Sequence, residues 1–270
     1  MQEKIFKIRA DITQKKPLIH CITNPISINQ CANAILAVGA RPIMAEHPRE
    51  VAEITETAQA LMLNLGNITD VRMESIAISA AAAAERNIPF VLDAVGIACS
   101  KLRQNYIAEL LNNVTPSVIK GNYSEINALY QDTYRSSGVD ADSTLELREM
   151  CRITAELAKK KNTIILASGK TDIVSDGHKL VLIHNGTAQL SNITGTGCML
   201  GALCAAYLSS SELLESALTA CTVLGICGQL AATEQGSGTF MTGLMDNLST
   251  LTDEDINKYL NVEVIDFENN

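Results

Sequence analysis

Apolar positions recur along this chain in two alternating rhythms. Ile5, Phe6, Ile8 and Ile12 return at helical spacing and predict an amphipathic helix over 2–14. A short apolar run, Pro17-Leu-Ile-His-Cys-Ile22, then leads into Thr23-Asn24-Pro25. The alternation continues with a helix over 26–38 ending at Gly39, a strand at 42–45 and a helix over 49–58. Ala60–Leu65 is another apolar run, with Asn64 and Gly66 at its end, and an alanine-rich helix covers 70–86. Pro89–Asp93 is a strand that closes on a carboxylate, followed by a helix near 103–113. Ser117–Asn122 is a strand carrying Lys120 and Asn122 at its end, and a helix starts at 123. Short, nearly unbroken apolar runs suit strands buried on both faces. Strands alternating with helices predict a mostly parallel central sheet with helices on both faces.

The rhythm changes after 130. Tyr130–Asp142 is polar and reads as a surface loop before a helix at about 143–160 and a strand at 163–168. Asp172–Ser175 and Lys179–His184, separated by Asp176-Gly177, read as a hairpin. Asn185-Gly186 predicts a second turn into a strand at Thr187–Leu190. Helices follow at 198–209, 213–232 and 241–250, with a last one from Thr252. No repeat or Pro/Gly/Ser-rich linker interrupts the pattern, so residues 1–270 are expected to form a single α/β domain.

Composition narrows the function. The chain is 47% hydrophobic with no Trp, which predicts an aliphatic core. A net charge of −9 argues against general nucleic-acid binding, which needs a basic footprint. It leaves room for ATP, which needs only a local basic or amide-rich site and a metal. The eight cysteines show neither Cys-x-x-Cys spacing nor a zinc-finger pattern. The N-terminus has no apolar signal core, and the longest apolar stretch, Leu213–Ala232, is interrupted by Glu215 and Gln229. These features predict a cytoplasmic protein with reduced thiols and no membrane span.

Candidate chemistry collects at the ends of the predicted strands. In open parallel sheets, ligands bind beyond the carboxyl ends of the strands. Asn64, Gly66, Asp93, Lys120, Asn122, Glu125, Ser168 and Gly169 all fall at such ends. The loop Asn192-Ile-Thr-Gly-Thr-Gly-Cys-Met-Leu-Gly201 runs straight into an uncharged apolar segment. A glycine loop opening a helix aims free N–H groups and the positive helix dipole at one spot, which suits a phosphate or an oxyanion. Cys198 sits in the first turn of that helix. The same loop also reads as a tight turn before a buried helix of small residues.

Asp93 and Glu125 are metal candidates, since Mg²⁺ needs only one or two carboxylates, direct or through water. Asp is also a preferred helix cap, so Asp93 alone reads either way. The Asn122-x-x-Glu125 spacing places an amide and a carboxylate together. Lys120 and Ser168 are candidate nucleotide contacts, or a solvated lysine and a turn. Met44 either lines a small-molecule pocket or belongs to the core. His20 and His47 lie near possible pocket loops but join no triad or metal set.

Six motifs in order resemble one family. His20-Cys-Ile-Thr-Asn-Pro25, Gly39-Ala-Arg-Pro-Ile-Met-Ala45, Asn64-Leu-Gly66, Leu92-Asp-Ala-Val-Gly96, Ile119-Lys-Gly-Asn-Tyr-Ser-Glu-Ile126 and Thr194-Gly-Thr-Gly-Cys-Met-Leu-Gly201 are similar to hydroxyethylthiazole kinase, of the ribokinase-like superfamily. The resemblance spans residues 20 to about 250. It includes a Cys where most ribokinase-like kinases carry a catalytic Asp.

The resemblance implies a ribokinase-like three-layer sandwich. It implies ATP-dependent phosphorylation of 5-(2-hydroxyethyl)-4-methylthiazole in thiamin salvage, by a homotrimer with active sites between subunits. Met44, Gly195 and Asn24 would contact the thiazole, and Lys120 and Ser168 the ATP. Asp93 and Glu125 would hold Mg²⁺. Cys198 stands at the base position, and the amides of 195–198, Gly197 included, would meet the charge on the moving phosphoryl group.

The chain departs from the family pattern in places. Lys120 stands where Arg is usual, which keeps the charge and loses the bidentate fork. Asn67 stands for a usual Thr, and Ala94 for a usual Pro. Three rival readings share the fold: a kinase for another small alcohol such as a hydroxymethylpyrimidine, a nucleotide-dependent repair dehydratase, and a thiazole- or nucleotide-binding protein without turnover.

Overall fold

The computed structural model describes residues 1–131, 147–210 and 212–266. One nine-stranded sheet runs through it: β1 (Leu18–Ile22), β2 (Arg41–Ile43), β3 (Ala60–Asn64), β4 (Phe90–Asp93), β5 (Val118–Asn122), β6 (Ile164–Ser168), β7 (Asp172–Ser175), β8 (Lys179–Ile183) and β9 (Val262–Asp266). The strand order is β2-β1-β3-β4-β5-β6-β7-β8-β9. Strands β1 to β6 pair in parallel, and β7, β8 and β9 join antiparallel.

The period of two along each strand divides the core between two helical layers. Ile19 and Cys21 of β1, Met62 of β3, Val91 of β4 and Leu166 of β6 face one layer. That layer holds α1 (Gln2–Lys15), α2 (Ile28–Ala37), α8 (Thr196–Leu208), α9 (Leu213–Ala231), α10 (Ser237–Thr250) and α11 (Asp253–Tyr259). Ile22, Leu61, Leu63, Leu92 and Ile165 face the other. There lie α3 (Val51–Thr57), α4 (Asp70–Arg86), α5 (Lys101–Asn113), α6 (Tyr123–Gln131) and α7 (Leu147–Lys161).

Helix α9 is apolar and long enough to cross a membrane by length and composition, but 72% of its apolar window is buried inside the fold. It packs against α8 and α10, so its hydropathy serves the core.

One expectation fails at the late edge of the sheet. Thr187–Leu190 is not a strand; a 3-10 helix covers Ala188–Asn192, started by the Thr187 side chain accepting from Gln189 N. The place beside β8 goes instead to β9, which the sequence reading did not anticipate. Asn185 explains the diversion. Its amide donates to Tyr259 O at 2.7 Å and to Gln229 Oε1 at 2.9 Å, and its Oδ1 accepts from Asn261 N at 3.0 Å. The chain after β8 is thereby tied to α9 and to the segment that enters β9. Most of the loop expected over 130–142 lies outside the described residues.

Candidate active site

The six parallel strands point their carboxyl ends to one edge of the sheet. The strand order reverses between β1 and β3, because the chain first crosses from β1 to β2 and then returns past β1 to β3. A crevice forms at such a reversal. Asn24, just past β1, and Asn64, at the end of β3, meet across it, Asn24 Nδ2 donating to Asn64 Oδ1 at 3.3 Å.

The contacts then run along the strand ends. Asn64 Nδ2 donates to Asp93 Oδ2 at 3.1 Å. Lys120 Nζ donates to both oxygens of Asp93, at 3.0 and 3.1 Å. The register makes this inevitable: Asn64 pairs with Asp93, and Asp93 with Lys120, on adjacent strands. Asp93 is fully buried and Lys120 is 4% exposed, so this ion pair is cut off from water.

Glu125 completes the acidic part. It sits in the first turn of α6, accepting from Gly96 N through Oε1 and from Asn122 N through Oε2, both at 2.7 Å. Asn122 Oδ1 in turn caps Glu125 N at 2.9 Å. Burial pushes the Asp93 and Glu125 carboxyls up, and the Lys120 ammonium opposes this in each. For Lys120 burial acts downward, but Asp93 and Glu125 outweigh it and hold the ammonium charged.

Helix α8 closes the crevice from above. Gly195 starts it at φ 94°, and no side chain caps it. Side chains rarely adopt that conformation, and a Cβ on Gly195 would lie 3.1 Å from Ser27 Cβ. Thr196 Oγ1 anchors the turn by donating to Leu190 O at 2.8 Å. The first intrahelical bond is Met199 N to Gly195 O at 2.8 Å. The amides of Thr196, Gly197 and Cys198 therefore precede the hydrogen-bonded ladder. A Cβ on Gly197 would stand 3.6 Å from Lys120 Nζ, so the lysine ammonium lies directly beneath this open helix end. Cys198 is half-buried, and its Sγ accepts from Asn24 Nδ2 at 3.3 Å. Gly201 lets the helix seat on the strand ends: a Cβ there would meet Met62 Cε at 2.9 Å.

The structure thus brings together Asn24, Asp93, Lys120, Glu125, Gly197 and Cys198. Gly195 adjoins them. Ser168 ends β6 opposite Asn122, and its Oγ donates to Gly121 O at 3.3 Å. Met44 follows β2, half-buried at the margin of the core, and touches none of these groups through a described polar contact. Among the described residues no three His, Cys, Asp or Glu side chains converge as a metal site. Asn67 has φ 46°, a left-handed conformation that Asn tolerates and a β-branched Thr resists.

Sequence reasoning missed Ser27, which touches Gly195, and Arg103. The latter packs over Gly96 and donates to Val95 O at 3.2 Å. Neither carries a motif; only the fold reveals them.

Comparisons with known proteins identify relatives of this chain. The model of the hydroxyethylthiazole kinase family matches residues 10–254. Hydroxyethylthiazole kinase 2 of Clostridium botulinum is 45% identical over 261 residues, covering 95% of this chain and 98% of that protein. The solved hydroxyethylthiazole kinase protein from Pyrococcus horikoshii has a TM-score of 0.90 at 31% identity, covering 98% of this chain and 100% of that one. A ribokinase-like superfamily protein from Enterococcus faecalis shares the fold, with a TM-score of 0.64 at 11% identity over 94% and 95% of the two chains.

Proposed function

The chain belongs to the hydroxyethylthiazole kinase family, and from that premise we propose that it transfers the γ-phosphoryl group of ATP to the hydroxyl of 5-(2-hydroxyethyl)-4-methylthiazole. The observation that carries the site assignment is the uncapped α8 N-terminus standing over a buried Lys120 ammonium. Free amides and a cation aimed at one spot are what an anionic, transferring phosphoryl group needs.

The roles follow from position. Lys120 offers a point charge to the triphosphate, and Ser168 a hydroxyl on the nucleotide side. The amides of Thr196, Gly197 and Cys198 hold the equatorial oxygens of the group in flight. Asn24, Gly195 and Met44 border the acceptor side, where the thiazole alcohol is held in line. Cys198 sits between these halves. Asn24 donates to its sulfur, which suits a group that takes up or shares the hydroxyl proton. A dissociative transfer asks little of an early base, so alignment is the larger part of the work.

The residues fit Mg²⁺. Asp93 and Glu125 supply hard oxygen donors only, and each Glu125 oxygen has spare lone pairs beyond its one backbone bond. Two carboxylates suit a cation that keeps most of its waters and shares substrate phosphates. Bound there, the ion would neutralise β- and γ-phosphate charge. Asp93 would have to loosen its grip on Lys120, which frees the ammonium for phosphate.

The homotrimer remains part of the proposal, supported by the family resemblance. The eight free cysteines are in keeping with a reducing cytoplasmic setting. An ADP-release assay with ATP, Mg²⁺ and a panel of alcohols tests the reading. The thiazole alcohol is expected to give the highest kcat/KM, and a hydroxymethylpyrimidine in first place would overturn the substrate assignment.

A further inference from the structure

His20 is fully buried at the middle of β1, on the sheet face that carries α3 and α4. The phosphoryl-transfer machinery does not use it. Its Nε2 lies 2.9 Å from Ala45 O, and its Nδ1 lies 2.9 Å from Thr55 Oγ1. A carbonyl oxygen only accepts, so Nε2 must carry the hydrogen. Nδ1 is then bare and accepts from the Thr55 hydroxyl. Burial holds the imidazole pKa below its ordinary value, and the Ala45 contact and Glu50 act against that.

Ala45 follows Met44, the residue assigned to the acceptor side in the proposed function. Two further bonds pin the same loop. Ser75 Oγ donates to Glu46 O at 2.7 Å, and Arg72 Nε donates to Glu46 Oε2 at 3.0 Å. The latter two grip the loop from its half-exposed side on α4. His20 grips it from the sheet, nearest Met44, and the β1–β2 register sets His20 beside Ile43.

We propose that His20 is a positioning residue for the acceptor alcohol: its neutral imidazole, fixed as the Nε2–H tautomer by the Ala45 carbonyl and seated by Thr55, tethers that carbonyl and so holds Met44 against the substrate. The substrate part of this rests on the kinase reading above; the tether itself does not. His20 touches no reacting atom. Its loss should therefore weaken alcohol binding and leave ATP binding alone.

Three measurements on the full chain test this. In steady-state kinetics, His20→Asn, which cannot reach Ala45 O, should raise KM for the thiazole alcohol about five- to tenfold, the worth of one buried neutral hydrogen bond. KM for ATP should stay within about twofold on the same scale. His20→Gln, whose amide nitrogen falls where Nε2 lies, should restore the alcohol KM. In hydrogen exchange, the amides of residues 44–47 should exchange faster in His20→Asn and normally in His20→Gln. In ¹⁵N NMR of the imidazole, Nε2 should report as protonated and Nδ1 as bare. Equal rises in both KM values, unchanged exchange at 44–47, or a hydrogen on Nδ1 would overturn the proposal. A wild type that releases no ADP with the thiazole alcohol overturns the kinase reading alone, and the tether then stands or falls on the exchange and NMR results.

Discussion

Gly197→Asp separates catalysis from stability at the centre of the site. Gly197 is exposed at the second residue of α8, and a Cβ there meets only Lys120 Nζ, at an ordinary 3.6 Å. An aspartate therefore fits without strain. A carboxylate in the first turn also favours the helix dipole, by roughly 0.3–1 kcal/mol. Folding should be unharmed or slightly improved. Function should collapse for two reasons. The new carboxylate would engage the Lys120 ammonium, and it would stand where phosphate oxygens must approach. A unit charge about 5 Å from one phosphate charge, at an effective dielectric of about 20, costs roughly 3 kcal/mol. That is a loss of about two orders of magnitude in kcat/KM. Gly197→Ala is the control: it keeps the amide, adds no charge and should lose less than about tenfold, or 1.4 kcal/mol. Coupled ADP-release kinetics and urea unfolding of the three proteins supply the numbers. Retention of more than a tenth of wild-type kcat/KM by Gly197→Asp would refute the phosphate assignment of this helix end. A stability loss above about 2 kcal/mol would refute the claim that the site has room for the side chain.

Other expectations follow from the buried charges. Asp93→Ala strands the 4%-exposed Lys120 without its partner, so urea unfolding should show a loss of about 3–5 kcal/mol. Asp93→Asn, which keeps the shape, is the cleaner probe: together with Glu125→Ala it should shift the Mg²⁺ concentration for half-maximal activity upward, and unchanged Mg²⁺ titrations would remove both from the metal site. Cys198→Ala is expected to keep a measurable rate, because in the proposed mechanism backbone amides, not the thiol, meet the phosphoryl charge; complete loss at normal stability would make the thiol an essential base. Desolvation pushes the Asp172 carboxyl up to about 6, against a small downward pull from Gly169 N. The folded state then holds a proton that the unfolded chain has released, so this group's contribution to stability falls as pH rises from about 4 to about 6. Asp172→Asn keeps the Oδ1 acceptor for Gly169 N and should flatten that part of the stability–pH curve, by about 1 kcal/mol after allowance for its partial exposure.

The parallel part of the fold was legible because its strands are buried on both faces. Each shows as a short apolar run with polar groups at its end, and the helix over 70–86 appears at those bounds, with the Thr69 side chain as its cap. The clustering of the candidate site was legible for a related reason: strand ends, marked by Asn64, Asp93 and Lys120, are also where the crevice lies. The antiparallel edge was harder to read. Asn185-Gly186 has good hairpin chemistry, but the Asn185 side chain is engaged by residues 44 and more positions away, and no local pattern shows that. Asp93 illustrates the limit at the site. The sequence offered a cap or a metal ligand; the structure pairs it first with Lys120, a contact set by strand register. His20 lies near a possible pocket loop in the sequence and joins no triad or metal set, because its two partners come from a loop and a helix that only the fold brings near.

The central claim is a transfer between two particular molecules. Mass spectrometry of a reaction containing the protein, ATP, Mg²⁺ and 5-(2-hydroxyethyl)-4-methylthiazole tests it most directly. The expected result is thiazole alcohol carrying one phosphoryl group, formed in equal amount with ADP and absent when Lys120→Met replaces the wild type. ADP without phosphorylated alcohol, or no reaction from a folded, ATP-binding protein, would contradict it.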